Sequence, residues 1–230
     1  MTPVREKKAQ AKDQVRSVVI VDDHPLFRHG LTQLIEGDGT LHVCGQAASA
    51  PEALTEIRRC DPDLAIVDVG LKGTNGIELM KSIKAEFPRL AVLMVSMHDE
   101  SLYAIRALRA GARGYVMKQE ALDRVMIAIH EVLTGKVYLS PEMSERVIIK
   151  FLQGEKSGEE GVSERLSDRE LEVLAFIGKG RSTREIASDL HLSVKTIESH
   201  RLRIKEKLSL KTAPEMVRFA VEWVAQQKEA

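Results

Sequence analysis

Short apolar runs recur along the first part of the chain, separated by longer stretches with helical spacing. The runs are residues 18–21 (VVIV), 43–47 (VCGQA), 64–67 (LAIV), 91–95 (AVLMV) and 115–117 (YVM). Runs this apolar suit strands buried on both faces of a parallel sheet, because helices cover both sides of such a sheet. Helical periods fill the gaps at 25–36, 51–59, 76–87, 101–110 and 122–134. Five strand–helix units in this order predict a doubly wound α/β domain with a five-stranded parallel sheet over residues 17–139.

The pattern then changes. Residues 154–161 (GEKSGEEG) contain no apolar side chain, which marks a linker. We take 140–163 as the linking segment, with 140–152 weakly helical and able to extend the first domain. Beyond it only helices are expected, about 168–178, 183–190, 194–207 and 213–227. Ser167 with Glu170, and Ser182 with Glu185, have capping-box spacing, and Ser193 is a third N-cap. The chain is therefore read as α/β plus all-α: a flexible basic tail at 1–16, the sheet domain at 17–139, a linker at 140–163 and a four-helix domain at 164–230.

Composition excludes several classes. With 34 Lys+Arg against 34 Asp+Glu the net charge is zero, and 43% hydrophobic residues can furnish a core, so global disorder is excluded. The apolar run at 90–97 falls far short of the roughly 18 residues a membrane span needs. The lysine-rich N-terminus lacks the apolar stretch of a secretory signal. Cys44 and Cys60 are the only cysteines, too few for a disulfide framework or a zinc site. A cytoplasmic protein with no membrane association is expected.

Ligands of open parallel sheets bind at the carboxyl ends of the strands. Strand one ends in Asp22-Asp23, strand three in Asp68, strand four in Ser96 and strand five in Lys118. Three carboxylates that converge repel unless a cation sits among them, and oxygen-only ligands favour Mg²⁺. Lys118 and Ser96 would then meet the remaining oxygens of a phosphoryl group. The implied chemistry is phosphoryl transfer onto a carboxylate. His24 and His98 lie nearby and read as loop residues able to tune phosphate lifetime.

Asp22-Asp23, the run AIVD ending at Asp68, GTNGIEL at 73–79, Ser96 and Lys118 resemble the receiver domain of two-component response regulators. The resemblance implies that Asp68 is the phosphoacceptor. It implies that Asp23, Asp68 and the Gly70 carbonyl bind Mg²⁺ directly, with Asp22 acting through water. Ser96 becomes the switch hydroxyl, Lys118 the partner of the phosphoryl oxygen, and Tyr115 the aromatic residue that follows the switch. Leu71-Lys72 and Gln119 depart from the commonest receiver pattern, which puts loop geometry and the isomer of the Lys118–Gln119 peptide in question. An aspartyl-phosphate hydrolase is disfavoured, since Gly70 stands where a second acid/base carboxylate would be needed. A receiver acting as a phosphorylation-independent interaction module is the remaining rival.

In the helical part, 182–200 (STREIASDLHLSVKTIESH) reads as helix, turn and helix. From 194 to 211 six cations face two acids, four net positive charges on a helix sized for the major groove. The stretch from Leu166 to Leu210 resembles the LuxR-type helix-turn-helix, and the domain order that of the NarL/FixJ subfamily. This resemblance makes 194–207 the recognition helix. Lys195, Glu198, Ser199 and Arg203 would approach base edges, while Thr183, Thr196, His200, Arg201 and Lys207 would touch phosphates or support the helix. The implied protein is a transcriptional regulator that binds a double-stranded DNA operator, takes a phosphoryl group from a sensor histidine kinase and dimerises, with 214–224 as a dimer surface.

Overall fold

The computed structural model describes residues 15–97, 100–120, 122–153 and 162–229. His98, residues 1–14 of the tail and 154–161 of the linker lie outside the described residues. The first part runs β1 (Arg16–Val21), α1 (Pro25–Glu36), β2 (Leu41–Ala47), α2 (Ala50–Cys60), β3 (Leu64–Val67), β4 (Gly70–Leu71), β5 (Thr74–Asn75), α3 (Gly76–Glu86), β6 (Ala91–Ser96), α4 (Glu100–Arg109), β7 (Gly114–Met117) and α5 (Leu122–Leu133). The main sheet has the order β2-β1-β3-β6-β7, with every pairing parallel.

Strand alternation divides the core in two. Val18, Ile20, Leu64, Ile66, Leu93 and Val95 turn to the face covered by α1 and α5, where they meet Leu31, Ile35, Val125 and Ile129. Val19, Val21, Ala65, Val67, Val92 and Met94 turn the other way, against Ile57, Ile77, Met80, Ile83 and Tyr103. That second core continues without a break into the helical domain, through Leu171, Leu174 and Ile186 to Ile197 and Trp223.

The rest is helical: α6 (Pro141–Gln153), α7 (Val162–Arg165), α8 (Asp168–Gly178), α9 (Thr183–Asp189), α10 (Val194–Lys207) and α11 (Ala213–Glu229). Ser167 and Ser182 each accept the backbone N–H three residues on, while Glu170 and Glu185 return the bond to the cap. Ser193 caps α10 through Thr196 N–H at 3.0 Å. These side chains satisfy donors that a helix start leaves open.

The structure refines the sequence reading at three places. The weakly helical stretch expected at 140–152 forms α6 over 141–153, where Met143 is buried and Val147 packs on the core. After Asp68, where Leu71-Lys72 put the loop geometry in question, the chain forms the small β4–β5 hairpin; Leu71 is buried there, and Gly73 takes a φ of 75° at the turn. β2 starts at Leu41, two residues earlier than the apolar run, because polar His42 sits at the strand's edge. No cis peptide occurs among the described residues, which include Lys118 and Gln119.

Candidate functional site: an acidic pocket and a basic helix

Strand periodicity buries β1, β3 and β6, so the polar residues that end them are carried inward at the carboxyl edge. Asp22 is 2% exposed, Asp23 8%, Asp68 4% and Ser96 0%. Lys118 follows β7 and reaches back across the edge. Its Nζ lies 2.6 Å from Asp22 Oδ2 and 2.6 Å from Asp68 Oδ2. One ammonium therefore neutralises two of three buried carboxylates. Asp68 Oδ1 accepts the Gly70 N–H at 3.1 Å.

The third carboxylate is balanced differently. His24 Nδ1 lies 2.8 Å from Asp23 Oδ1, 3.3 Å from Asp22 Oδ1 and 3.9 Å from Asp68 Oδ2. Asp23 Oδ1 is nonetheless buried with no aligned hydrogen bond from the described residues. Asp22, Asp23, His24 and Asp68 each offer a ligand atom within 4.8 Å of the others. An orphaned carboxylate oxygen in an oxygen-rich cluster fits a hard divalent cation. Burial pushes the Asp22 carboxyl up, the Asp68 charge adds to this, and the Lys118 ammonium offsets part of it. That direction means the charged form of Asp22 is disfavoured in the buried pocket, and a cation there would favour it.

Gly76 is fixed by the same pocket. A Cβ there would lie 2.0 Å from the Asp68 carbonyl oxygen, and Gly76 N–H donates to Val69 O at 2.7 Å. Only glycine allows α3 to begin so close to the strand that ends in Asp68. Tyr115 is fully buried and packs in the same core as Tyr103 of α4.

The helical domain presents the opposite kind of surface. Ile197 and Ile204 of α10 face its core, which leaves Lys195, Glu198, Ser199 and Arg203 exposed. Ser193, Lys195, Thr196, Ser199, His200 and Arg203 line one open groove. His200 and Arg201 are half-buried. Burial, then the Arg169 and Arg203 cations, lower the His200 pKa, so the ring tends to remain neutral. Lys207 is already engaged: its Nζ lies 2.6 Å from Glu170 Oε2, which ties α10 to α8. Thr183, at the start of α9, is half-buried.

The response regulator receiver domain model matches residues 18–130, and the model of bacterial regulatory proteins of the luxR family matches 164–220. The oxygen regulatory protein NreC of Staphylococcus carnosus is 33% identical over 210 residues, covering 89% of this chain and 96% of its own. The chain is a response regulator. Among solved structures, a two-component response regulator of the LuxR family from Aurantimonas sp. covers 60% of this regulator and 99% of itself, at 32% identity and a TM-score of 0.57. RcsB of Salmonella enterica serovar Typhimurium, bound to promoter rprA with the phosphomimetic BeF3-, covers 90% and 98% at 26% identity and a TM-score of 0.59. The regulator is of the NarL/FixJ type: a five-stranded parallel receiver followed by a helical LuxR-type DNA-binding domain. Its family consists of DNA-binding transcription regulators of two-component systems rather than enzymes. Receiver domains bind Mg²⁺ in an acidic pocket, and this regulator has one. No described helix is long and apolar enough to cross a membrane.

Sequence reasoning missed residues that support the regulator's site. Lys118 Nζ stands 4.5 Å over the Phe27 ring, a cation–π contact that steadies the ammonium. Arg28 donates to the Asp22 carbonyl. The contacts between the two domains also had no local signal. Arg106 of α4 meets Asp168 at 2.7 Å, and its other nitrogen donates to Leu166 O at 2.9 Å. Lys81 of α3 meets Asp168 at 3.0 Å, and Asn75 Nδ2 donates to Glu172 Oε2 at 3.4 Å. His191, in the turn before α10, lies 4.0 Å from Asp23.

Proposed function

We propose that Asp68 is the phosphoacceptor of a cytoplasmic transcriptional switch. The observation that carries this reading is Lys118 Nζ held at 2.6 Å from both Asp22 and Asp68 in a buried acidic pocket. The phosphoryl donor is the phosphohistidine of a sensor kinase. An Asp68 carboxylate oxygen attacks phosphorus as the bond to the histidine nitrogen breaks. Asp23, Asp68 and the Gly70 carbonyl would hold Mg²⁺, with Asp22 assisting through water. When bound, the metal offsets charge on the phosphoryl oxygens, the usual role of a divalent cation in this chemistry. Lys118 pairs with one phosphoryl oxygen, and the Ser96 hydroxyl turns toward another.

The signal leaves through α4. Tyr115, already buried, repacks as Ser96 turns and shifts Tyr103, which belongs to the same core. Tyr103 shares α4 with Arg106, which holds Asp168 of the DNA-binding domain. Movement of α4 therefore loosens α8 from the receiver and allows two regulator chains to pair, with residues 214–224 as one contact surface. Two recognition helices reading two half-sites of a double-stranded operator supply the specificity that one small helix lacks. Lys195, Glu198, Ser199 and Arg203 read base edges. Thr183, Thr196, His200 and Arg201 position the helix on phosphates, and Lys207 supports it through Glu170.

The test is selection of sites from a random double-stranded DNA library by beryllofluoride-treated wild type and by Asp68→Asn. A repeated half-site enriched by wild type alone supports the switch. Equal enrichment by both proteins would favour a receiver that works without phosphorylation.

A further inference from the structure

The only two cysteines of the chain are brought together by a defect in the sheet. Val18 pairs with Val43 and Val19 with Gly45, so Cys44 is the extra residue of a β-bulge in β2. A bulge takes one residue out of the ladder and re-aims it. Here the freed Cys44 carbonyl turns to the last turn of α2, where it accepts the Cys60 thiol at 2.9 Å and an Arg59 N–H at 2.7 Å. The Cys44 thiol donates to Val18 O at 3.4 Å. The following residue is a glycine, and a Cβ at Gly45 would come within 3.0 Å of Cys60 Sγ. Bulge and glycine together seat the Cys60 thiol against the Cys44 backbone, and both cysteines are half-buried rather than sealed in the core.

We propose that Cys44 and Cys60 form a reversible dithiol–disulfide site that is oxidised by hydroperoxides. Burial, then the Cys60 sulfur beside it, push the Cys44 thiol up to about 12, so Cys44 stays protonated and Cys60 reacts first. The Cys60 sulfur attacks a peroxide oxygen; the S–O bond forms, the O–O bond breaks, and water or an alcohol leaves. The Cys44 sulfur then attacks the sulfenic sulfur. The S–S bond forms, the S–O bond breaks, and a second water leaves with the Cys44 proton. The staple joins edge strand β2 to α2, beside the point where Ala47 O accepts the Asp22 N–H at 3.0 Å.

The experiment treats the reduced full-length protein with hydrogen peroxide, quenches with iodoacetamide and measures intact mass and the unreduced peptide map. The expected wild-type product is lighter by about 2 Da, the mass of two hydrogens lost on disulfide formation. It carries no alkyl group, joins the Cys44 and Cys60 peptides, and reverts with dithiothreitol. Cys44→Ser should instead yield a sulfenic acid at Cys60 that dimedone traps, and Asp68→Asn should oxidise like wild type. The proposal is overturned if both wild-type cysteines remain open to iodoacetamide, if they climb to sulfinic acid without joining, or if only disulfide-linked dimers form.

Discussion

The acidic pocket of the receiver and the basic helix of the DNA-binding domain solve opposite problems. The pocket gathers Asp22, Asp23, Asp68, Ser96 and Lys118 from four strand ends and buries them all. The helix takes its groups from one run of fourteen residues and leaves Lys195, Glu198, Ser199 and Arg203, the residues proposed to read bases, in solvent. In the pocket each group holds another in place, so a single loss unbalances the rest. On the helix the exposed side chains do not hold one another's charge in place, so each loss should be graded, with additivity expected only between well-separated positions.

Substitutions can break or sharpen that contrast. The largest effect belongs to Lys118→Met, which strands Asp22 and Asp68 as buried charges. It should cost the metal-free protein about 3–5 kcal/mol, the range for removing one partner of a buried pair. Urea unfolding with and without Mg²⁺ measures this, and the cation should recover part of the loss. Gly76→Ala comes next, since its methyl must displace the Asp68 backbone. An overpacking cost of about 1–3 kcal/mol is expected, together with slower phosphoryl uptake.

On the helix, Arg203→Ala should weaken operator binding by about 1–3 kcal/mol while leaving the melting temperature unchanged. Arg201→Ala, which removes a proposed phosphate contact, should instead lower the salt slope by about one unit. Binding titrations at several salt concentrations separate the two. Ser182→Ala removes the N-cap of α9 and should cost about 1 kcal/mol of helical-domain stability. The fluorescence of Trp223, the only tryptophan in the chain, reports this.

The smallest effects are in pH dependence, and the two regions carry opposite signs. Asp22 is raised from 3.8 by burial and by Asp68. In the metal-free protein its stabilisation is present below that ordinary value and is lost as pH rises through the raised one. Burial also works to raise Glu170, but the Lys207 ammonium and the Ser167 donors outweigh it and leave the group below 4.5. Its stabilisation is present above 4.5 and is lost as pH falls through the lowered value. Asp22→Asn should therefore stabilise the metal-free receiver near neutrality. Glu170→Gln should flatten the acid limb of the Trp223 transition.

The same contrast explains what could be read from the amino acids alone. The strand ends were legible because a run such as LAIV must be buried, which fixes where its terminal Asp68 goes. The helix-turn-helix was legible because its caps, apolar stripe and cations are local. Phe27 was not, since an aromatic residue in an amphipathic helix looks like core until Lys118 is found above it. Asp168 and Glu172 were hidden for the same reason, their receiver partners lying 87 and 97 residues away from them. Lys207 read as either a phosphate contact or a support of the helix, with no partner in view. Its partner Glu170 stands 37 residues upstream, and only the packing of α8 on α10 joins them.

The central claim is that Asp68 accepts a phosphoryl group, and intact mass after incubation with acetyl phosphate and Mg²⁺ tests it most directly. Wild type should gain about 80 Da, the mass of one phosphoryl group, and lose that gain when the metal is chelated, while Asp68→Asn gains nothing. A gain that survives in Asp68→Asn, or a wild type that takes up no phosphoryl group and keeps its oligomeric state with beryllofluoride, would contradict the account.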